Sequence, residues 1–108
     1  MTVPASSELR VNRHRLRNGQ TVIFRGPVRT GPLPPEGKLL EMQVRQPGRW
    51  QTFKTVRSDA AGQFEVRYTF RRTSGVVDYR FRVRLPAEAG YPFTAGVSRV
   101  VTVRVRGR

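Results

Sequence analysis

Apolar residues recur at every second position over three stretches of this chain, and that period leaves little room for anything but a sheet protein. Over 63–70, Phe64, Val66, Tyr68 and Phe70 alternate with Glu65, Arg67 and Thr69. Over 78–85, Tyr79, Phe81, Val83 and Leu85 are separated by Arg80, Arg82 and Arg84. Near the end, Val101, Val103 and Val105 alternate with Thr102, Arg104 and Arg106. Successive strand side chains point to opposite faces, so each stretch has one buried and one wet face. No window carries an apolar stripe at helical spacing that competes with this pattern. Helix content is expected near zero.

Weaker strands fill the rest. Residues 8–11 would turn Leu9 and Val11 inward, 21–25 would bury Val22 and Phe24, and 38–45 would bury Leu40, Met42 and Val44. Gly26-Pro27 is expected to interrupt the second of these, since Pro donates no ladder hydrogen bond. Residues 50–53 and 55–57 flank a short strand or a pair of bends. Turn chemistry separates the strands: Asn18-Gly19 suits a tight hairpin, as do Pro47-Gly48 and Asp59-Ala60-Ala61-Gly62, whose Gly is expected to be left-handed. The Pro-rich run 31–37 is a stiff connection, and 73–75 and 86–96 close the remaining gaps. Short strands with turns every 8 to 12 residues predict an all-β antiparallel sandwich of seven or eight strands. Its interior should hold Val22, Phe24, Leu40, Met42, Val44, Phe64, Val66, Tyr68, Tyr79, Phe81, Val83, Val101 and Val103. One domain over 8–108 is expected, behind a loose start at 1–7.

Composition narrows what such a domain can do. The chain has 108 residues and no Cys, which excludes disulfides, thiolate metal sites and thiol nucleophiles. No apolar run approaches the roughly 20 residues of a membrane helix, and no apolar segment follows Met1 as a signal would require. Neither membrane insertion nor a signal is expected. Net charge is +14, carried almost wholly by 19 arginines. A charge of that size argues for polyanion contact or solubility, not for any particular fold.

The run Asn18-Gly19-Gln20-Thr21-Val22-Ile23-Phe24-Arg25-Gly26, then Pro35-Glu36-Gly37-Lys38-Leu39-Leu40, then Ser58-Asp59-Ala60-Ala61-Gly62-Gln63-Phe64, resembles bacterial immunoglobulin-like domains. It is close in style to the carboxypeptidase regulatory-like and other transthyretin-like modules of surface proteins. Tyr79-Arg80-Phe81-Arg82-Val83 and the Val-rich end resemble that family's last two strands, so the likeness spans 18–105. It implies an immunoglobulin-like β-sandwich with no catalytic role: a structural, adhesion or assembly module of a secreted or cell-surface bacterial protein. Its partners would be neighbouring domains or copies of itself. The chain departs from the pattern in having no disulfide pair and no neighbouring domains, which implies a piece of something longer. Its Arg-heavy, Lys-poor composition resembles that of high-GC bacterial genomes.

No catalytic, cofactor or metal site is legible, and no small-molecule substrate is implied. His14, the sole histidine, lies in the basic run Asn12-Arg13-His14-Arg15 and reads as an exposed edge residue rather than a general base. The seven acids are scattered, Glu36 and Glu41 being the nearest pair, and suit solvation or Arg pairing better than acid–base work. Asp59 with Gly62 and Glu65 offers too few oxygens for calcium, and a turn in which Asp59 caps its own backbone explains the same letters. Gly26 and Gly31 lack the Lys-Ser/Thr of a phosphate loop. What remains is arginine. If Phe81 and Val83 face the core, Arg80, Arg82 and Arg84 share the opposite face, Arg104 and Arg106 join from the next strand, and Arg45 from 38–45. The first five would form a contiguous, exposed patch, with Arg45 as a candidate sixth, for an anionic polymer: nucleic acid, wall polymer or acidic glycan. Genome composition and the need for polar groups on a wet face account for the same arginines. The aromatics fall opposite the Arg rows and read as core rather than as a stacking platform, with Trp50, Tyr91 and Phe93 nearer loops. The Tyr91-Pro92-Phe93 run is expected to cap one end of the sandwich.

Overall fold

A computed structural model of the protein describes residues 3–4, 6–29, 36–88 and 93–107. Strand segments follow in chain order: β1 (Val3–Pro4), β2 (Ser6–Ser7), β3 (Arg10–Val11), β4 (Arg15–Arg17), β5 (Thr21–Arg29), β6 (Leu39–Gln46), β7 (Arg49–Arg57), β8 (Gln63–Thr69), β9 (Val76–Leu85), β10 (Phe93–Thr94), β11 (Gly96–Val97) and β12 (Val101–Arg106). Among the described residues there is no helix. The chain is an all-β sandwich. Its larger sheet has the order β4-β12-β9-β6-β7, with β11 also beside β9; in the smaller one β5 pairs with β2, β3 and β8. Pairing is antiparallel except for β4 with β12 and β1 with β10, which are parallel.

Alternation builds the core as expected. Val22 and Phe24 of β5 and Phe64 and Val66 of β8 face Leu40 and Met42 of β6, Phe81 and Val83 of β9, and Val103 and Val105 of β12. The Phe24 and Phe81 ring centroids lie 4.8 Å apart across the two sheets. Leu9, Leu16, Val28, Phe70 and Leu85 complete the buried set, while Val44, Tyr79 and Val101 are only partly buried. Tyr68 departs from expectation: it is 41% exposed. Its strand β8 pairs with β5 alone, so only Phe70 and Phe53 meet the ring, both in T-shaped contacts, among the aromatic residues described.

Several local readings are corrected by pairing partners that lie far along the chain. Asn18-Gly19 does not close a hairpin: β4 belongs to the larger sheet and β5 to the smaller, so the turn is a crossover. Asp59 to Gly62 is likewise a crossover, from β7 to β8. Its chemistry is as expected, with Asp59 Oδ1 accepting from the Ala61 and Gln63 amides and Gly62 at φ +87°. Pro47-Gly48 does close a hairpin, between β6 and β7. β5 continues through Gly26-Pro27 to Arg29 instead of stopping. A Cβ on Gly26 would lie 2.0 Å from the Glu8 carbonyl oxygen, so the bare glycine admits the crossing N-terminal backbone. The Pro27 carbonyl then accepts from the Glu8 amide.

Part of the start expected to be loose is paired, through Val3–Pro4 and Ser6–Ser7. β7 is one strand rather than two bends. It pairs Lys54 with Met42 but Thr52 with Gln43, leaving Phe53 as the extra residue of a bulge. That bulge lets Phe53 face inward, 5.8 Å from Phe81, while Trp50 stays on the outer face under Arg82. Residues 31–35 of the Pro-rich connection and the Tyr91-Pro92 pair lie outside the described residues.

Candidate anion-binding site

The strand register sets which arginines are neighbours. Arg80, Arg82 and Arg84 of β9, Arg104 and Arg106 of β12 and Arg45 of β6 all belong to the outer face of the larger sheet, opposite the buried Phe81, Val83, Val103 and Val105. They do not form a bare row. Across β9 and β12, Arg80 faces Thr102, Asp78 faces Arg104, and Val76 faces Arg106, so no two of the arginines are directly opposed there. Arg104 grips Asp78 through Nε at 2.8 Å and Nη2 at 3.3 Å, and this bond holds the Asp78 carboxyl below its ordinary range. Arg84 pairs with Glu41 at 2.6 Å.

Arg82 is half-buried rather than exposed. Its guanidinium lies 4.4 Å from the centre of the Trp50 ring, and its Nε donates to Gln43 Oε1 at 2.8 Å. Burial, then the charges of Arg84 and Arg45, press its pKa downward, though a guanidinium remains charged throughout. Arg45 is exposed and lies 5.8 Å from the same Trp50 ring. Trp50 is thus a platform for the protein's own cations. Arg80, Arg104 and Arg106 are exposed as expected, whereas Arg82 and Arg84 are partly covered because the long β6–β7 ladder supplies Gln43, Glu41 and Trp50 beside them.

A second, denser cluster stands at the end of the sandwich where β9 begins. β4 runs parallel to β12 and sets Arg15 beside Arg104 and Arg17 beside Arg106, with buried Leu16 against Val105. Like charges placed side by side in a sheet are destabilising unless something neutralises them. Asp78 relieves the first pair. Among the described residues no carboxylate lies within ion-pairing distance of Arg15, Arg17, Arg106, Arg71 or Arg72. Arg71 and Arg72 follow β8 and are exposed; with Arg17 and Arg106 they line an open groove of about 820 Å³, and no Asp or Glu among the described residues lines it.

The groove is held by backbone chemistry. Asn18 Nδ2 donates to the Thr73 carbonyl at 2.8 Å, and Asn18 Oδ1 accepts from the Thr73 amide at 3.2 Å. Gly19 donates to the Phe70 carbonyl and Asn18 to the Arg106 carbonyl. Gly107 packs so closely on Thr73 that a Cβ would lie 1.7 Å from its oxygen. Three chain segments are thereby locked together, and each brings arginine. Guanidinium forks in this number suit phosphate, sulfate or carboxylate groups.

Sequence reasoning missed Arg15, Arg17, Arg71 and Arg72. A signal was present in the alternation Arg15-Leu16-Arg17 and in the Arg71-Arg72 doublet, but three residues are too few to mark a strand by period. His14 is exposed, its Nδ1 donating to the Thr102 carbonyl at 3.2 Å. Among the described residues no three His, Cys, Asp or Glu come together as metal ligands would. Glu65 is bound by Arg25 and Arg67, whose hydrogen bonds lower its pKa. No helix of the described residues is long and apolar enough to cross a membrane. No protein-family model matches the chain, and a search of curated proteins finds no match to it.

Proposed function

We propose that the protein is a non-catalytic immunoglobulin-like module, of a secreted or cell-surface bacterial protein, that adheres to polyanions. Strand order supports the first half. β12, β9 and β6 lie side by side in one sheet and β5 with β8 in the other, the arrangement that immunoglobulin-type sandwiches use for their G, F, C and B, E strands. The second half is carried by one observation: Arg17 and Arg106 are opposed across a parallel pair, with Arg71 and Arg72 on the same groove and no Asp or Glu lining it among the described residues. A ligand with closely spaced anionic groups relieves that repulsion, and a simple solvated surface has no need to concentrate it.

The test is affinity for a sulfated glycan and for duplex DNA at several salt concentrations. If four arginines each neutralise one phosphate, log K against log salt on duplex DNA has a slope of about −4. Arg71→Gln with Arg72→Gln should lower that slope by about two, whereas Arg13→Gln with Arg99→Gln, equal in charge but elsewhere, should change it far less. Equal effects of the two double variants would assign the binding to net charge alone.

A further inference from the structure

Beside the arginine groove, and sharing Arg71, Arg72 and Thr73 with it, a cleft of about 250 Å³ opens between the edge strands β7 and β8. Its walls are aromatic. Tyr68 is exposed, Phe53 and Tyr79 are partly buried, and Tyr68 stands edge-on to Phe53 and Phe70 at centroid distances of 5.3 and 5.0 Å. Two side-chain amides, Gln46 and Gln51, also line it, and neither is engaged in a side-chain hydrogen bond among the described residues. The Tyr79 hydroxyl is already bonded to Thr73 Oγ1 at 2.8 Å, which ties the cleft to the same loop that presents the arginines.

We infer that this cleft receives a base of single-stranded nucleic acid, its phosphates resting on Arg71 and Arg72. The inference builds on the polyanion reading and narrows its ligand. Each part of the cleft answers one part of a nucleotide: the exposed Tyr68 ring stacks a planar ring, the amides of Gln46 and Gln51 meet the ring's hydrogen-bonding edge, and the adjoining guanidiniums take the phosphate. A sulfated glycan has no planar ring for the cleft, and duplex DNA keeps its bases stacked inside. Charge complementarity selects an anion, and the aromatic wall selects the anion that carries rings. Stacking on one exposed aromatic is tolerant of sequence, because every base has a π-face.

The decisive measurement is fluorescence anisotropy with three ligands at matched low salt: an oligothymidylate, an abasic strand of equal length, and thymidine monophosphate as competitor. The base-bearing strand should bind about tenfold more tightly than the abasic one. Tyr68→Ala should erase that difference and leave abasic binding unchanged, with Tyr68→Phe restoring it. The Tyr68 ring is exposed, and the native circular dichroism of both variants verifies that neither effect is unfolding. Equal affinity for the two strands overturns the base-binding cleft while leaving polyanion binding intact. Failure to bind either strand or a sulfated glycan overturns the polyanion reading itself. Competition by the free mononucleotide as effective per nucleotide as by the strand overturns the strand as ligand.

Discussion

Near Leu85, where β9 leaves the larger sheet, Lys38 lies almost wholly buried, its Nζ donating to the Pro86 carbonyl at 2.6 Å and to Glu88 at 3.0 Å. Arg57 reaches the other oxygen of Glu88 at 3.1 Å. At Val76, where β9 begins, Arg17, Arg106, Arg71 and Arg72 surround an open groove with no Asp or Glu among the described residues of its lining. The contrast follows from solvent. A charge taken out of water costs several kcal/mol unless a partner replaces its hydration, so the buried lysine must be paired. Charges left in water carry no such obligation. Only there can guanidiniums stay free to meet a ligand. The outer sheet face lies between the extremes, with Arg82, Arg84 and Arg104 satisfied by Trp50, Gln43, Glu41 and Asp78.

The contrast is most easily broken at the paired end. Glu88→Ala strips Lys38 of its carboxylate and should lower stability by about 2–3 kcal/mol, near the lower edge for a broken buried pair. Urea unfolding measures it; a change within error would mean that water reaches Lys38 freely. No comparable loss is expected from Arg71→Gln with Arg72→Gln, whose removal relieves repulsion.

Acid provides a finer cut at the same place. Burial pushes the Glu88 pKa up, but the hydrogen bond and charge of Lys38, with the Leu39 amide and Arg57, outweigh it and leave the pKa lowered. A carboxyl lowered in the fold contributes stability that is full above its unfolded value, about 4.3, and is lost as pH falls through the folded value. The stability gap between the native chain and Glu88→Gln should therefore hold near pH 7 and close below about pH 4. Glu65 and Asp78 are lowered as well, but they are common to both chains and cancel. A gap that widens in acid would contradict the pairing.

The smallest effect belongs to the intermediate face. Arg82→Gln with Arg104→Gln removes two charges that already have partners, and at 0.15 M salt should weaken polyanion binding by less than about twofold, since Asp78 already neutralises Arg104 and salt screens the more distant Arg82. A loss as large as that of Arg71→Gln with Arg72→Gln would move the binding surface from the groove onto the sheet.

Much of this was legible in the residues. The inward set of β9 and β12 follows from alternation alone, because one slipped residue would bury arginines. Gly62 and Gly48 carry the left-handed φ that their turns demand. Tyr68 was misjudged because period two reports a facing and not whether anything stands opposite. Asn18-Gly19 was misjudged because a turn dipeptide fixes a bend, not the sheet to which the next strand goes. The arginines at 15, 17, 71 and 72 share no pattern long enough to read; two segments distant in sequence bring them together, and β12 adds Arg106 as the third.

Sequence by itself thus determined an all-β class, the faces of its long strands and a large positive charge, since each depends on residue type and on spacing within a few positions. Tertiary structure decided which charges are neutralised. Whether Arg84 meets Glu41, Arg104 meets Asp78 and Arg17 stands beside Arg106 depends on which strands are neighbours and in what register. Those pairings are long-range, fixed by how the core closes, and no single stretch of the chain encodes them.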